Sequence, residues 1–323
     1  MSDELSQRDT IDLAGCELRT ARGSELRRAR DFARAVVDRA LRARGIEPWY
    51  GAPGGRDWER ESALQAFLQA QPGARFVVCE RAGELIAVAR TTRFETMDEA
   101  LEVVVAPEYS HRGLGRALLA ELWSGTPTPD LGRLAVVPGT TADLNLYLPF
   151  GVMPVAGRWH LRIPVALYRE RRAAEVVDED PAPVHVLETG TALETWAELE
   201  EGVLGYARPW LHEWFARDRV ALGVVAGGGT PDAVCWVSAE GDVGPAVARR
   251  PEDLVPVVLA ALDRVASACE APELAIQCTT PAWWLLRRLR LLGFRLHWPS
   301  WILSSVPCPA LDRYLPVQPP ALL

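Results

Sequence analysis

The order of elements along this chain repeats, and that repetition limits the folds open to it more than its composition does. The first copy opens with a short strand, "CELRTA" (16–21), and a helix over 24–45 with Ser24 as N-cap and Gly45 as stop. A second helix follows over 57–70, then a hairpin over 74–94 around Ala82-Gly83. A valine-rich strand (101–106) runs into a glycine-rich turn and a helix. "LGRLAVV" (131–137), "TTADLNLYLPFG" (140–151) and "RWHLRIPV" (158–165) read as strand, short helix and closing strand. From residue 184 the same order returns. A strand (184–188) precedes helical stretches over 191–204 and 208–218, and three short strands fill 221–248. A helix over 251–268 has Leu254, Val258, Leu262 and Val265 on one face, and strand 273–278, helix 282–294 and strand 300–305 close the copy. The repeat period is about 160 residues. Residues 169–183, "RERRAAEVVDEDPAP", interrupt the pattern with charge, acid and proline. The expected division is therefore a first domain over 1–166, a linker over 167–183, a second domain over 184–306 and a proline-rich, extended tail over 307–323.

Bulk properties exclude several classes. The 323 residues suffice for two domains, and no apolar run reaches the roughly 18 residues of a membrane span. "MSDELSQRDT" is polar and is not read as a secretory signal, so a cytoplasmic protein without a membrane partner is expected. The net charge of −8 argues against nucleic acid as a partner. Six scattered cysteines and five dispersed histidines show no metal-ligand spacing, so the thiols are read as reduced and no metal is expected. There is no lysine; all 35 basic residues are arginine, which fits codon bias in a GC-rich genome or a protein with no side-chain amine for its own reactive substrate.

The stretch "VAPEYSHRGLGRALL" carries the chemistry. Gly113 and Gly115 let backbone approach a ligand closely, and a helix starting near Leu114 would present unpaired N–H groups and partial positive charge. Ser110, His111, Arg112 and Arg116 add donors and charge. The pattern reads as an anion cradle, a phosphate first of all. It is not a P-loop, which needs a lysine, nor a dinucleotide fingerprint, whose third glycine is missing.

These residues resemble motif A of the GNAT superfamily of acyl-CoA-dependent N-acyltransferases. Val105-Ala106-Pro107 and Gly113-Leu114-Gly115 match it, while Ser110 stands in place of the usual Gln or Arg and His111 in place of a small residue. "LYLPFGV" resembles a second family segment, with Tyr147 and Gly151 on its tyrosine and glycine, and Thr140 where asparagine is common. The second copy lacks the glycine turn; Arg249-Arg250-Pro251 replaces it, and Leu289 stands at the tyrosine position. The resemblance thus implies an α/β (α+β) protein of two tandem GNAT folds, each a mixed, mostly antiparallel twisted sheet flanked by helices, with a degenerate C-terminal copy.

The resemblance also implies a mechanism. Acetyl-CoA would serve as co-substrate, its pantetheine amides pairing with backbone near Val103, Val104 and Val105 and its diphosphate held by the turn from Ser110 to Arg116. An acetyl group would pass directly to the amine of a small molecule in a ternary complex. Tyr147 would protonate the departing thiolate, and Glu99 or Glu102 would serve as base. Trp49, Tyr50 and Arg56, in the loop that also precedes Trp58, and His160 on the closing strand are the candidate acceptor contacts. A monomer and a homodimer both remain open. The competing readings are a non-catalytic acyl-CoA-binding or regulatory protein, and an acetyltransferase of a protein amine.

Overall fold

A computed structural model describes residues 15–46, 58–124, 131–175, 183–225, 229–268, 272–317 and 322–323. Two compact units emerge. The first comprises Met1–Arg93 with Asp98–Leu131, the second Phe94–Met97 with Gly132–Leu323.

In the first unit, β1 (Cys16–Thr20) is followed by helices α1 (Leu26–Arg42) and α2 (Trp58–Gln69). Strands β2 (Arg75–Arg81), β3 (Glu84–Phe94) and β4 (Met97–Val105) then lead to helix α3 (Leu114–Leu122). β1 pairs antiparallel with β2, and β2 with β3. Helix α1 buries Leu26, Ala29 and Ala33, a three-and-four spacing that makes one apolar stripe. That stripe packs on Phe76, Val78 and Val88, alternate residues of the hairpin strands. Ala82 and Gly83 both take positive φ at the hairpin tip, as a two-residue turn between twisted strands requires.

The second unit begins with β5 (Gly132–Val137), helix α4 (Thr141–Tyr147), β6 (Met153–Pro164) and helix α5 (Val165–Ala173). It continues with β7 (Val184–Val186), α6 (Thr189–Leu204), α7 (Pro209–Phe215), β8 (Arg219–Val224), β9 (Ala233–Ser238) and β10 (Val243–Ala248). Helix α8 (Pro251–Ala268), β11 (Glu273–Thr279), α9 (Trp283–Leu292), β12 (Arg295–Ser304) and β13 (Tyr314–Leu315) complete it. One sheet carries β13-β10-β9-β8-β7 in that order, with every adjacent pair antiparallel. The four residues expected on the inner face of α8 are all buried, in one core with β9, β10, β11 and α9.

Three features differ from the sequence reading. Residues 169–173 continue α5 instead of opening a linker: Val165 and Tyr168 are buried on it, Tyr168 Oη donates to Asp263 at 2.7 Å, and Arg172 pairs with the same carboxylate at 3.0 Å. The charges that suggested a linker are the solvated side of a packed helix. The tail is not simply extended. Tyr314 and Leu315 pair with Val247 and Ala246 of β10, and Thr279 Oγ1 donates to the Leu311 carbonyl at 2.6 Å. Finally, β12 lies between β5 and β6, antiparallel to both, and β11 pairs with the far edge of β6. Strands of the two sequence halves therefore alternate within one sheet.

A buried polar cluster also lies in this unit. Glu200 accepts from Arg208 Nε at 2.8 Å and pairs with His212 Nε2 at 2.8 Å, while Trp236 Nε1 donates to His212 Nδ1 at 3.1 Å. Burial alone would raise the Glu200 carboxyl, but its interactions with His212 and Arg208 outweigh it and hold the group at about 2. Burial lowers His212, so the imidazole stays neutral at pH 7.

Candidate functional site

The glycine turn belongs to the first unit. The Ala106 N–H donates to the Ile86 carbonyl at 2.9 Å, and Pro107, which has no N–H, ends the strand. Pro107–Tyr109 form one 3-10 turn. Ser110 Oγ donates back to the Ala106 carbonyl at 3.4 Å. The chain then enters the left-handed region twice, at His111 (φ +61°) and at Gly113 (φ +82°). Such a conformation costs a residue with a Cβ about 1–2 kcal/mol, so His111 holds a strained backbone and Gly113 does not.

Gly113 is the N-cap of α3 and has no side chain to cap it. The helix carries no acidic residue in its first turn. Leu114, Leu118, Leu119 and Leu122 are buried, which fixes the helix and aims its N-terminal N–H groups at the turn. His111, Arg112 and Arg116 are exposed and Gly115 is half-buried. Arg112 and Arg81 both lie over the Tyr109 ring, at 5.8 and 5.9 Å from its centroid. The result is a cationic surface around an uncapped helix terminus, suited to an anion. The N-terminus of α8, at the corresponding place in the second copy, is built differently. Its first turn carries Glu252 and Asp253, and Arg250 binds Asp253 at 2.8 Å, so that dipole is already matched by carboxylates.

Val103, Val104 and Val105 are half-buried at the end of β4, with Val104 packed on the α1 core. The two carboxylates expected as base lie on opposite faces of this strand, three residues apart. Glu99 is buried. Glu102 sits in an ion-pair network that the sequence reading missed. Its carboxylate is 2.8 Å from Arg90 Nε and 2.7 Å from Arg30 Nη1, and Arg30 also reaches Glu61 at 3.1 Å. Arg90 is fully buried and also donates to Gln65. Burial pushes the Glu102 carboxyl up, but Arg90 and Arg30 outweigh it and hold it below the usual carboxylate range. The signal was present in "ELIAVARTTRF": Ile86, Val88 and Arg90 alternate onto one face, so an arginine takes a core position.

Thr140, Tyr147 and His160 belong to the second unit. Thr140 is the N-cap of α4 in a capping box: Asp143 N–H donates to Thr140 Oγ1 at 3.0 Å, and Thr140 N–H to Asp143 Oδ2 at 3.1 Å. Tyr147 ends that helix and is buried, which raises its phenol well above the ordinary range and keeps it protonated. His160 is buried on β6, edge-on to His297 at 5.4 Å between ring centroids. Trp49, Tyr50 and Arg56 lie outside the described residues, and of Trp58 only the backbone is described. Among the described residues no group of His, Cys, Asp and Glu could hold a metal ion, and no helix is long and apolar enough to cross a membrane.

Residues 72–151 match the family model of the acetyltransferase (GNAT) domain. No curated protein sequence matches. Among solved structures, the chain resembles a candidate acetyltransferase from Pyrococcus horikoshii at 14% identity and TM-score 0.68, covering 96% of both chains. A GCN5-related N-acetyltransferase from Sphaerobacter thermophilus is 18% identical, with TM-score 0.55 over 93% of this chain and 99% of that one. A tandem GNAT protein from the clavulanic acid biosynthesis pathway is 16% identical, with TM-score 0.51 over 90% and 99%. The likeness to these structures is one of fold and runs almost the whole length of the chain, and the segment from the β2 region to Gly151 is the part that matches the GNAT domain model.

Proposed function

We propose that this protein transfers an acetyl group from acetyl-CoA to the amine of a small molecule. One observation carries the reading: α3 begins behind Gly113 with no side-chain cap and no carboxylate in its first turn, flanked by exposed Arg112 and Arg116. That terminus would hold the diphosphate. Backbone at Val103–Val105 would align the pantetheine, and an N–H there would polarise the thioester carbonyl.

The amine nitrogen attacks the thioester carbon as a neutral group, the new C–N bond forms, and the C–S bond breaks. The amine proton leaves to a base, and the thiolate takes one. Glu102 is poorly suited to the first role, because two guanidiniums keep it ionised and weakly basic. Glu99, directly or through water, is assigned the proton. Tyr147 is assigned to the thiolate. Its phenol stays protonated across the physiological range, and its raised value makes it a hydrogen-bond donor to the leaving sulfur more than a complete proton source. Thr140 contributes by fixing the start of α4, its hydroxyl being taken up by Asp143.

The test is calorimetric titration of acetyl-CoA into wild type and Gly113→Glu, with circular dichroism to verify folding. Micromolar binding by wild type, weakened at least a hundredfold in a folded variant, supports the site. No binding by wild type, or equal binding by both, overturns it. Binding that no amine ever converts to CoA release would favour the non-catalytic reading, to which Ser110 lends weight by bonding its own backbone instead of offering a long polar side chain.

A further inference from the structure

Among the described residues, β1 is the edge strand of its sheet and pairs only with β2. In that antiparallel register Leu18 lies opposite Cys79, and Cys16 lies opposite Arg81. Directly opposed residues point to the same face of a sheet, and so do residues two apart on one strand. Cys16 and Cys79 are therefore diagonal neighbours on one face. The Ala21 N–H donates to the Phe76 carbonyl at 2.8 Å, which makes that pair a hydrogen-bonded one. The two kinds of pair alternate along a ladder, so Leu18 with Cys79 and Cys16 with Arg81 are both of the other kind, whose side chains approach more closely. The two thiols are in hydrogen-bond contact. Cys16 is half-buried and Cys79 is buried.

We propose that Cys16 and Cys79 form a redox-modification site, at which a hydroperoxide converts the pair of thiols to an intramolecular disulfide. Cys16 is the thiol that a small oxidant can reach. Its sulfur attacks the O–O bond of hydrogen peroxide, a sulfenic acid forms, and water leaves. The Cys79 sulfur then attacks the Cys16 sulfur. The S–S bond forms, the S–O bond breaks, and the Cys79 proton leaves with the hydroxyl as a second water. Two thiols are oxidised and one peroxide is reduced. Burial raises the Cys79 thiol to about 11, so it stays protonated and serves as the resolving partner, not as the point of first attack.

Geometry also sets how durable the bond is. Diagonal neighbours in a sheet lie about 7–8 Å apart, just beyond the roughly 4.4–6.8 Å between Cα atoms that a disulfide spans. Closure therefore draws Cys16 towards β2 by about 1 Å. A five-residue edge strand can make that shift, because its neighbour is on one side only. A bond closed under strain is readily reduced, which suits a reversible modification more than a permanent staple. Arg81, opposite Cys16, lies over the Tyr109 ring that Arg112 also covers, so the modified strand borders the cationic surface of the turn. The chemistry uses none of the residues assigned to acyl transfer, and the inference stands apart from that reading.

The test is the intact mass of the folded full chain after brief exposure to hydrogen peroxide, with peptide mapping under non-reducing conditions. A loss of about 2 Da, one cross-linked pair of peptides holding Cys16 and Cys79, and recovery of the original mass in millimolar glutathione support the proposal. Cys16→Ser should abolish the change. Cys79→Ser should stop at the sulfenic acid, a gain of about 16 Da that dimedone traps. The wild-type peptide map decides the case even where a variant fails to fold. A wild type that keeps its mass, a bridge through any other cysteine, or a bridge that forms only in urea overturns the proposal.

Discussion

Replacing Glu102 by Gln separates two roles that a sequence assigns equally well. In the structure the carboxylate is the counter-ion of Arg90, which is 0% exposed, and of Arg30. After the substitution Arg30 keeps Glu61 at 3.1 Å, but Arg90 keeps only the neutral Gln65. Leaving a buried charge without its partner costs about 3–5 kcal/mol. That is about a fifth or more of the stability of a typical domain. With a urea dependence of about 3 kcal/mol per M, the midpoint should fall by at least 1 M. The double variant Arg90→Met/Glu102→Leu removes both charges and should recover more than half of the loss. The pH dependence has a definite sign. The Glu102 carboxyl lies below its unfolded value, so its contribution is present above about pH 4.3 and is lost as pH falls through the folded value. Wild type and Glu102→Gln should therefore converge in acid. A catalytic base behaves otherwise: the variant would keep its urea midpoint and lose about 10²–10⁴ in kcat. Urea midpoints within 0.2 M at pH 7, about 0.6 kcal/mol, would refute the structural role assigned here.

Tyr147→Phe should lower kcat by about 10–100-fold and leave acetyl-CoA affinity unchanged, measured by thiol release and calorimetry. Because the phenol is raised by burial, the wild-type rate should show no Tyr147 ionisation up to pH 10. The Glu200–His212 cluster sets the acid limb of stability. Both groups are lowered on folding, so the unfolded chain binds more protons, and stability should begin to fall below about pH 6.5 and continue through the range of Glu200. His212→Phe should remove the first part of that decline in thermal melts from pH 7 to 5. Thr140→Ala deletes an N-cap and should cost about 1 kcal/mol, seen in urea titration, without the rate loss expected of Tyr147→Phe. The thiols of Cys79 and Cys235, raised by burial to about 11 and 12, should resist a thiol reagent until the chain unfolds.

What could be read in the sequence was local. Leu254, Val258, Leu262 and Val265 declared α8 through their spacing, and Gly113 declared a turn into a helix because few other residues allow its left-handed backbone. The strained φ of His111 was not legible, since nothing in its type or neighbours demands it. The partners of Glu102 lie 12 and 72 residues away along the chain, and ion pairs of that reach leave no periodic trace. The helical start of the expected linker was hidden by its arginines, whose counter-ion Asp263 sits on a distant helix. The place of β12 between β5 and β6 could not be inferred either, because an alternating strand is compatible with any neighbour of the right length.

That interleaving has a consequence for how the protein is made. Strand β6 leaves the ribosome by residue 164, yet the strand that separates it from β5 begins only at Arg295. At 5–20 residues per second the wait is about 7–26 s, long against the microseconds in which a hairpin closes. During that interval β5 and β6 are adjacent in the nascent chain and free to pair directly, a register the finished protein does not use. Synthesis of the second half must then reopen or forestall that pairing, so slowing translation after residue 164 should lower the yield of native protein.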